Sequence, residues 1–401
     1  MKEINGGITV VRDFKAAGVS CGIKKNNKKD LAIIYSTLPA IAAGVFTTNK
    51  VFSPSVQICR ENILSPVTRA IVVNSGNANA CVGSQGYLDA KKIIQLTAKK
   101  LEIATEEVLI ASTGVIGEPL PMDKIEGGIS NLVKGLDKNS SDDAAEGILT
   151  TDTFTKSVAV EVNINGTRVR IGGIAKGAGM IHPDMATMLA FIVTDAVIEK
   201  NILLKFLKES TDSSFNMITI DGDTSTNDTV IILANKSAKN EIITEASPSS
   251  KIFLQALNFV TSKLARMIVK DGEGATKIIE VNVKGGKAIH DAKAIAFAIA
   301  QSNLVKTAFF GEDANWGRII AAAGTAGVSF EPDKIDIFFG QVQVVKNGIY
   351  CGARREKEIN DIIKKRDIAL MVDLNSGDEE ARVLTCDLSF DYVKINAEYR
   401  T

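Results

Sequence analysis

Short, densely apolar runs alternate along this chain with longer stretches in which apolar residues recur every three or four positions. Residues 31–35, 40–46 and 70–73 are apolar runs bounded by turn residues, which predicts strands. Residues 87–101 and 121–136 read as helices. In the second, Ile125, Ile129, Leu132, Val133 and Leu136 fall on one stripe. Between the two helices, residues 108–111 read as a strand, followed by a turn at Ser112-Thr-Gly-Val-Ile-Gly117. Residues 157–164 and 167–171 then flank Asn165-Gly166, the dipeptide of a tight hairpin turn. A loop over 172–186 follows, and 187–193 resumes as an apolar strand.

The second half repeats the mixture. Helices are expected at 202–215, 251–269 and 356–366, and strands at 229–234, 278–283, 335–339 and 368–372. Asn347-Gly348 predicts another hairpin. There is no internal repeat or low-complexity tract. The irregular alternation, with hairpins interspersed, predicts an α/β protein of mixed α+β layers and not a doubly wound parallel sheet. A length of 401 residues allows two or three structural units.

Composition narrows the function. Lys and Arg together number 47, as do Asp and Glu, so no global field would recruit nucleic acid or a membrane surface. A small or neutral partner is expected. The N-terminus has no apolar signal segment, and neither 31–46 nor 294–300 can cross a bilayer, which needs roughly 20 apolar residues. The five cysteines, Cys21, Cys59, Cys81, Cys351 and Cys386, have no paired spacing, which predicts reduced thiols and a cytoplasmic protein. With only His182 and His290, a common zinc site is improbable and a Ser-His-Asp triad has little to rest on.

Several glycine loops invite a phosphate reading and fail it. Asp271-Gly-Glu-Gly-Ala-Thr-Lys277 lacks P-loop spacing, and no GxGxxG opens a helix after a strand, so no nucleotide cofactor is expected. Asp221-Gly-Asp-Thr-Ser-Thr-Asn-Asp228 starts like a calcium loop but lacks Gly at its sixth position and Glu at its twelfth. A hydrogen-bonded turn is its plainer reading.

One stretch carries chemistry: Lys176-Gly-Ala-Gly-Met-Ile-His-Pro-Asp-Met-Ala-Thr187, placing a threonine between a glycine-rich loop and a strand. A threonine hydroxyl needs a base, and its own α-amine serves if the chain is cut between Ala186 and Thr187. The plainer alternative is a threonine that merely starts a strand. Thr113-Gly114, after an apolar strand, offers a hydroxyl and a backbone amide for an oxyanion, or is a simple strand-to-helix turn.

Taken together, the segments resemble the ornithine acetyltransferase family, the bifunctional glutamate N-acetyltransferases. The likeness runs through Gly6-Gly-Ile-Thr-Val, Ala43-Gly-Val-Phe-Thr-Thr-Asn49, Val73-Asn-Ser-Gly-Asn-Ala-Asn-Ala80, Ser112-Thr-Gly-Val-Ile-Gly117 and Thr150-Thr-Asp-Thr153. It continues through Met185-Ala-Thr-Met-Leu189, the 221–228 and 271–277 loops, Asn315-Trp-Gly-Arg318 and Ile395-Asn-Ala-Glu-Tyr-Arg-Thr401.

The resemblance implies a two-domain α/β sandwich and a precursor cut at Ala186–Thr187 into an α chain (1–186) and a β chain (187–401), assembled as α2β2. It implies acetyl transfer from N-acetylornithine to glutamate, with acetyl-CoA a possible second donor. Carried over by motif, Thr187 is the nucleophile and Thr113 and Gly114 stabilise the oxyanion. Thr150, Lys176, Glu273, Asn396 and Thr401 line the substrate site with Thr187. Lys176 suits a substrate carboxylate and Glu273 the side-chain ammonium of ornithine. Asp184 stands where asparagine is usual, Asn303 and Ala314 where prolines are. A self-processing amide hydrolase and a non-catalytic amino-acid-binding protein are the rival readings.

Overall fold

The computed structural model describes residues 1–25, 27–182, 188–352 and 356–398, which form two compact units. Among the described residues the first comprises 1–216 and 223–268, the second 217–222 and 269–398.

Among its described residues the first unit has nine strands: β1 (Lys2–Ile4), β2 (Phe14–Val19), β3 (Leu31–Phe46), β4 (Thr68–Asn77), β5 (Val108–Val115), β6 (Lys156–Ile164), β7 (Thr167–Lys176), β8 (Leu189–Thr194) and β9 (Thr229–Ala234). Their order is β1-β6-β7-β8-β9-β3-β4-β5, with β2 on β3. The two apolar runs predicted as separate strands are one strand, β3. Its first half pairs with β2 and β4, its second with β9, and the register shifts between Tyr35 and Ala40.

That irregularity lets two sheet halves face each other. One core joins Ala32, Ile34, Ile71, Val73, Leu109 and Ala111 from one half to Ile174, Leu189, Phe191, Val193, Ile231 and Leu233 from the other. The alternate residues Leu31, Ile33, Ala70, Val72, Val108 and Ile110 pack against the helices Gly83–Leu101 and Met122–Lys134. Burial on both faces explains why these strands read as continuous apolar runs, without alternation.

The helix Ser249–Lys270 is long and apolar enough by length and composition to cross a membrane, a candidate the sequence reading passed over. Its Phe253, Ala256, Leu257, Val260 and Leu264 are fully buried. A Cβ on Gly173 of β7 would lie 3.0 Å from Leu264, so the helix packs on the sheet as a core element.

The second unit is a six-stranded sheet: β10 (Ile278–Gly286), β11 (Asp336–Phe339), β12 (Val342–Lys346), β13 (Ile349–Tyr350), β14 (Asp367–Asp373) and β15 (Glu379–Cys386), ordered β13-β12-β11-β14-β10-β15. The helix Ile289–Gln301 lays Ala292, Ile295, Ala296 and Ile299 on it, and Glu356–Ile363 adds Ile359 and Ile363.

Candidate active site

The predicted oxyanion pair sits at the end of β5. Strands β4 and β5 run parallel, with Ser75 opposite Thr113 and Gly76 opposite Gly114, and the register slips at Asn77. Ser112 to Gly114 therefore belong to the strand and not to a turn, because the slip lets both strands continue. Gly114 has a φ of +130°. A Cβ there would lie 2.3 Å from the Gly76 carbonyl carbon and 2.5 Å from Asn77 N, so the approach of the two backbones requires glycine.

A buried polar network fixes this strand end. Ser112 Oγ donates to Asn74 Oδ1 at 2.7 Å and shares a hydrogen bond with Ser55 Oγ, also at 2.7 Å. Asn227 Nδ2 donates to the carbonyls of Ser112 and Ala78 at 2.8 and 2.7 Å. The sequence reading assigned none of these four side chains a role. Three of them, Asn74, Ser112 and Asn227, stand inside motifs it quoted, which was the available signal.

Lys176 closes β7 with its side chain 3% exposed. Its Nζ donates to Thr150 Oγ1 at 2.7 Å and to Thr113 Oγ1 at 3.4 Å, and lies 3.9 Å from Asp152 Oδ2. Two predicted hydroxyls thus converge on the ammonium of a third predicted residue. The unpredicted member is Asp152, whose wholly buried side chain accepts from Lys156 Nζ and Gly177 N, both at 2.7 Å, and from Thr150 N at 3.0 Å. Burial alone would raise its pKa. The Lys176 and Lys156 charges and these hydrogen bonds outweigh burial and hold the carboxyl at about 2.

The strand end that carries Lys176 is also where β8 and β9 begin. Leu189 lies opposite Lys176 on one side and Thr229 on the other. Asp228, fully buried just before β9, accepts the Met188 N–H at 2.8 Å. Burial pushes its carboxyl well above the ordinary range, although the Met188 N–H and Lys176 pull it down. The predicted nucleophile Thr187, the preceding Ala186 and the variant Asp184 lie outside the described residues, as does Thr401.

In the second unit, Glu273 and Asn396, 123 positions apart, are hydrogen-bonded: Asn396 Nδ2 donates to Glu273 Oε2 at 2.7 Å. The helix Phe390–Glu398 presents Asn396, and Ser389 Oγ ties that helix start to the Gly274 carbonyl at 2.6 Å. The 271–277 stretch is a loop secured by Asp387, which accepts the N–H groups of Thr276 and Lys277, both at 2.8 Å. In the 221–228 stretch, Asn227 N donates to Ser225 Oγ at 3.1 Å, in keeping with the turn reading.

The sequence profile of the ArgJ family matches residues 15–401. The arginine biosynthesis bifunctional protein ArgJ of Geobacter sulfurreducens is 50% identical over 391 residues, covering 98% of this chain and 100% of the relative. The protein of that name from Caldanaerobacter subterraneus subsp. tengcongensis is 49% identical over 405 residues, with both chains covered completely. The crystal structure of arginine biosynthesis bifunctional protein ArgJ from Bacillus halodurans is 41% identical with a TM-score of 0.51. It matches 52% of this chain and 98% of its own.

Proposed function

The chain belongs to the ArgJ family and is an acetyltransferase of arginine biosynthesis; from that premise we propose that it cuts itself between Ala186 and Thr187 and carries acetyl from N-acetylornithine to glutamate on Thr187. The observation that supports this reading is that the hydroxyls of Thr113 and Thr150 meet the buried ammonium of Lys176, on the sheet end where β8 begins. A solved relative accounted for by 52% of this chain accords with mature chains of about half length.

In self-cleavage, Thr187 Oγ attacks the Ala186 carbonyl carbon. The C–O bond forms, the C–N bond breaks, and the hydroxyl proton passes to the departing nitrogen. Water then opens the ester, restoring the hydroxyl and leaving Thr187 with a free amine. That amine, with an ordinary pKa of roughly 7.7 to 8, takes the hydroxyl proton as Oγ attacks the acetyl carbon of N-acetylornithine. The C–N bond breaks, the proton passes to the ornithine nitrogen, and acetyl-threonine remains. The amine of glutamate attacks that ester, giving N-acetylglutamate and the free hydroxyl.

Thr113 and the Gly114 amide hold the oxyanion, each such donor being worth about 2.7 to 4 kcal/mol. Lys176 and Thr150 face the substrate carboxylate, Glu273 braced by Asn396 receives the ornithine ammonium, and Thr401 completes the substrate contacts. The α (1–186) and β (187–401) chains assemble as α2β2. The five cysteines are free thiols, in keeping with a cytoplasmic enzyme. Acetyl-CoA as a second donor is tested by formation of N-acetylglutamate from acetyl-CoA and glutamate alone.

Denaturing intact mass is the primary test. Two chains joining at Ala186–Thr187, and a gain of about 42 Da on the second with N-acetylornithine, are expected. A single 42.8 kDa chain after long incubation would overturn the mechanism. Acetate release unaffected by glutamate would favour an amide hydrolase.

A further inference from the structure

Both backbone groups of Met188, the residue after the proposed nucleophile, are held by one short segment. Its N–H donates to Asp228 Oδ1 at 2.8 Å, and its carbonyl accepts Thr229 N–H at 3.1 Å. The preceding residue of that segment, Asn227, reaches the other way, donating to the carbonyls of Ser112 and Ala78 at 2.8 and 2.7 Å. Ser112 is the neighbour of Thr113, and Ala78 N–H in turn donates to the Val115 carbonyl at 2.9 Å. Three consecutive residues thus connect the start of β8 with the strand end that carries Thr113 and Gly114. Met188, Asn227, Asp228 and Thr229 are all buried.

We propose that Asp228 is a positioning residue for acetyl transfer and self-cleavage, fixing the backbone of Met188, the residue after Thr187, relative to the strand end that carries Thr113 and Gly114. Its role is exerted through the backbone of Met188, whose N–H it accepts. The inference rests on the self-cleaving reading given above.

A carboxyl group at this depth is costly unless hydrogen bonds offset the burial. Besides the Met188 N–H, the Thr47 hydroxyl and the Ser225 N–H also favour its charged form, and the residue before Met188 in the chain is Thr187. Burial pushes this carboxyl well above the ordinary range. What it supplies to Met188 is therefore a hydrogen bond more than a charge, and an uncharged acceptor of the same shape should replace it. Small displacements of a nucleophile from its reacting geometry are expensive in rate, and an acceptor moved by one methylene displaces Met188 with it.

Three full-length variants test this: Asp228→Asn keeps shape and acceptor, Asp228→Ala removes the acceptor, and Asp228→Glu keeps the carboxyl but moves it. Self-cleavage is followed by intact mass, and the processed enzyme by separate kcat and KM values. The Ala and Glu variants should cleave about tenfold or more slowly, and lose kcat by a similar factor with both KM values within about twofold. Asn should cleave within about threefold of the parent. If Ala does not fold, as judged by its melting curve, Glu carries the same comparison. Parental rates in Ala or Glu would overturn the proposal. So would an Asn variant as slow as Glu, because the ionisable proton would then be what matters. A parent chain that never divides removes the self-cleaving reading itself, an outcome none of the variants can mimic.

Discussion

The ammonium of Lys156 lies 2.7 Å from the carboxylate of Asp152, and neither side chain is exposed. Asp152 is held at about 2, below an unfolded value of roughly 3.9. A depressed folded pKa gives stability that is fully present above the unfolded pKa and disappears as pH falls through the folded one. The window is thus from about pH 4 down to about pH 2, and the amount is on the order of 2 kcal/mol. Unfolding free energies measured across that range should show the fall in the parent and a flatter course in Asp152→Asn. At neutral pH the variant leaves Lys156 and Lys176 without their carboxylate and should be less stable by about 3 to 5 kcal/mol. Equal acid sensitivity in both proteins would refute the assignment.

Gly114→Ala should abolish turnover more severely than loss of a single oxyanion donor. Its Cβ would meet the Gly76 and Asn77 backbone at 2.3 and 2.5 Å, so β5 must move away from β4, taking the Gly114 amide and Thr113 with it. Removing one donor of this kind costs about 10²- to 10³-fold in kcat. Thr113→Ala, which leaves the backbone intact, should stay within that range, whereas Gly114→Ala should exceed it and also lower the melting temperature. An alanine at 114 with parental kcat would exclude the strand end as the oxyanion site.

Strands buried on both faces were legible as apolar runs: residues 70–73 are apolar and buried throughout, and Thr229–Ala234, also wholly buried, matches its predicted bounds. The hairpin at Asn165-Gly166 followed from a local turn. What escaped depends on distant partners. Nothing near residue 113 signals that Gly76 will approach Gly114 and prolong β5. Likewise, the loop expected from 172 begins only after Lys176, because the glycines at 172 and 173 are strand residues making room for Gly7 and for Leu264. At the site, the motifs placed Thr113, Thr150 and Lys176, but not Asp152 or Asp228. A carboxylate is recognised as structural or chemical only by what surrounds it, and the lysines and amide that occupy these two are set by sheet register.

Glu273→Gln should separate the two half-reactions. If Glu273 receives the ornithine ammonium, removing its charge weakens N-acetylornithine, while glutamate, which brings a carboxylate instead, gains or stays unchanged. A lost hydrogen bond to a charged group is worth about 1.5 to 3 kcal/mol, or roughly 10- to 100-fold in KM for N-acetylornithine. Asn396→Ala frees Glu273 from its 2.7 Å partner and should act in the same direction by less. Steady-state kinetics with each substrate varied in turn would check this. Equal changes in both KM values would contradict the assigned charge pairing.

Cleavage at Ala186–Thr187 should not release the two halves. Strands β8 and β9, which follow the proposed cut, lie in the sheet between β7 and β3, which precede it. Pairing runs from Ile171 opposite Thr194 to Lys176 opposite Leu189 on one side, and from Ile41 opposite Ala234 to Phe46 opposite Thr229 on the other. The same core holds Ile174 from before the cut and Phe191 and Ile231 from after it. Separation would break two strand interfaces and split a buried apolar core, which at about 25 cal/mol per Å² of apolar surface is prohibitive under native conditions. The processed chains should therefore co-elute on size exclusion and part only at denaturant concentrations that unfold the sheet. Fragments that exchange freely with tagged copies in native buffer would contradict this.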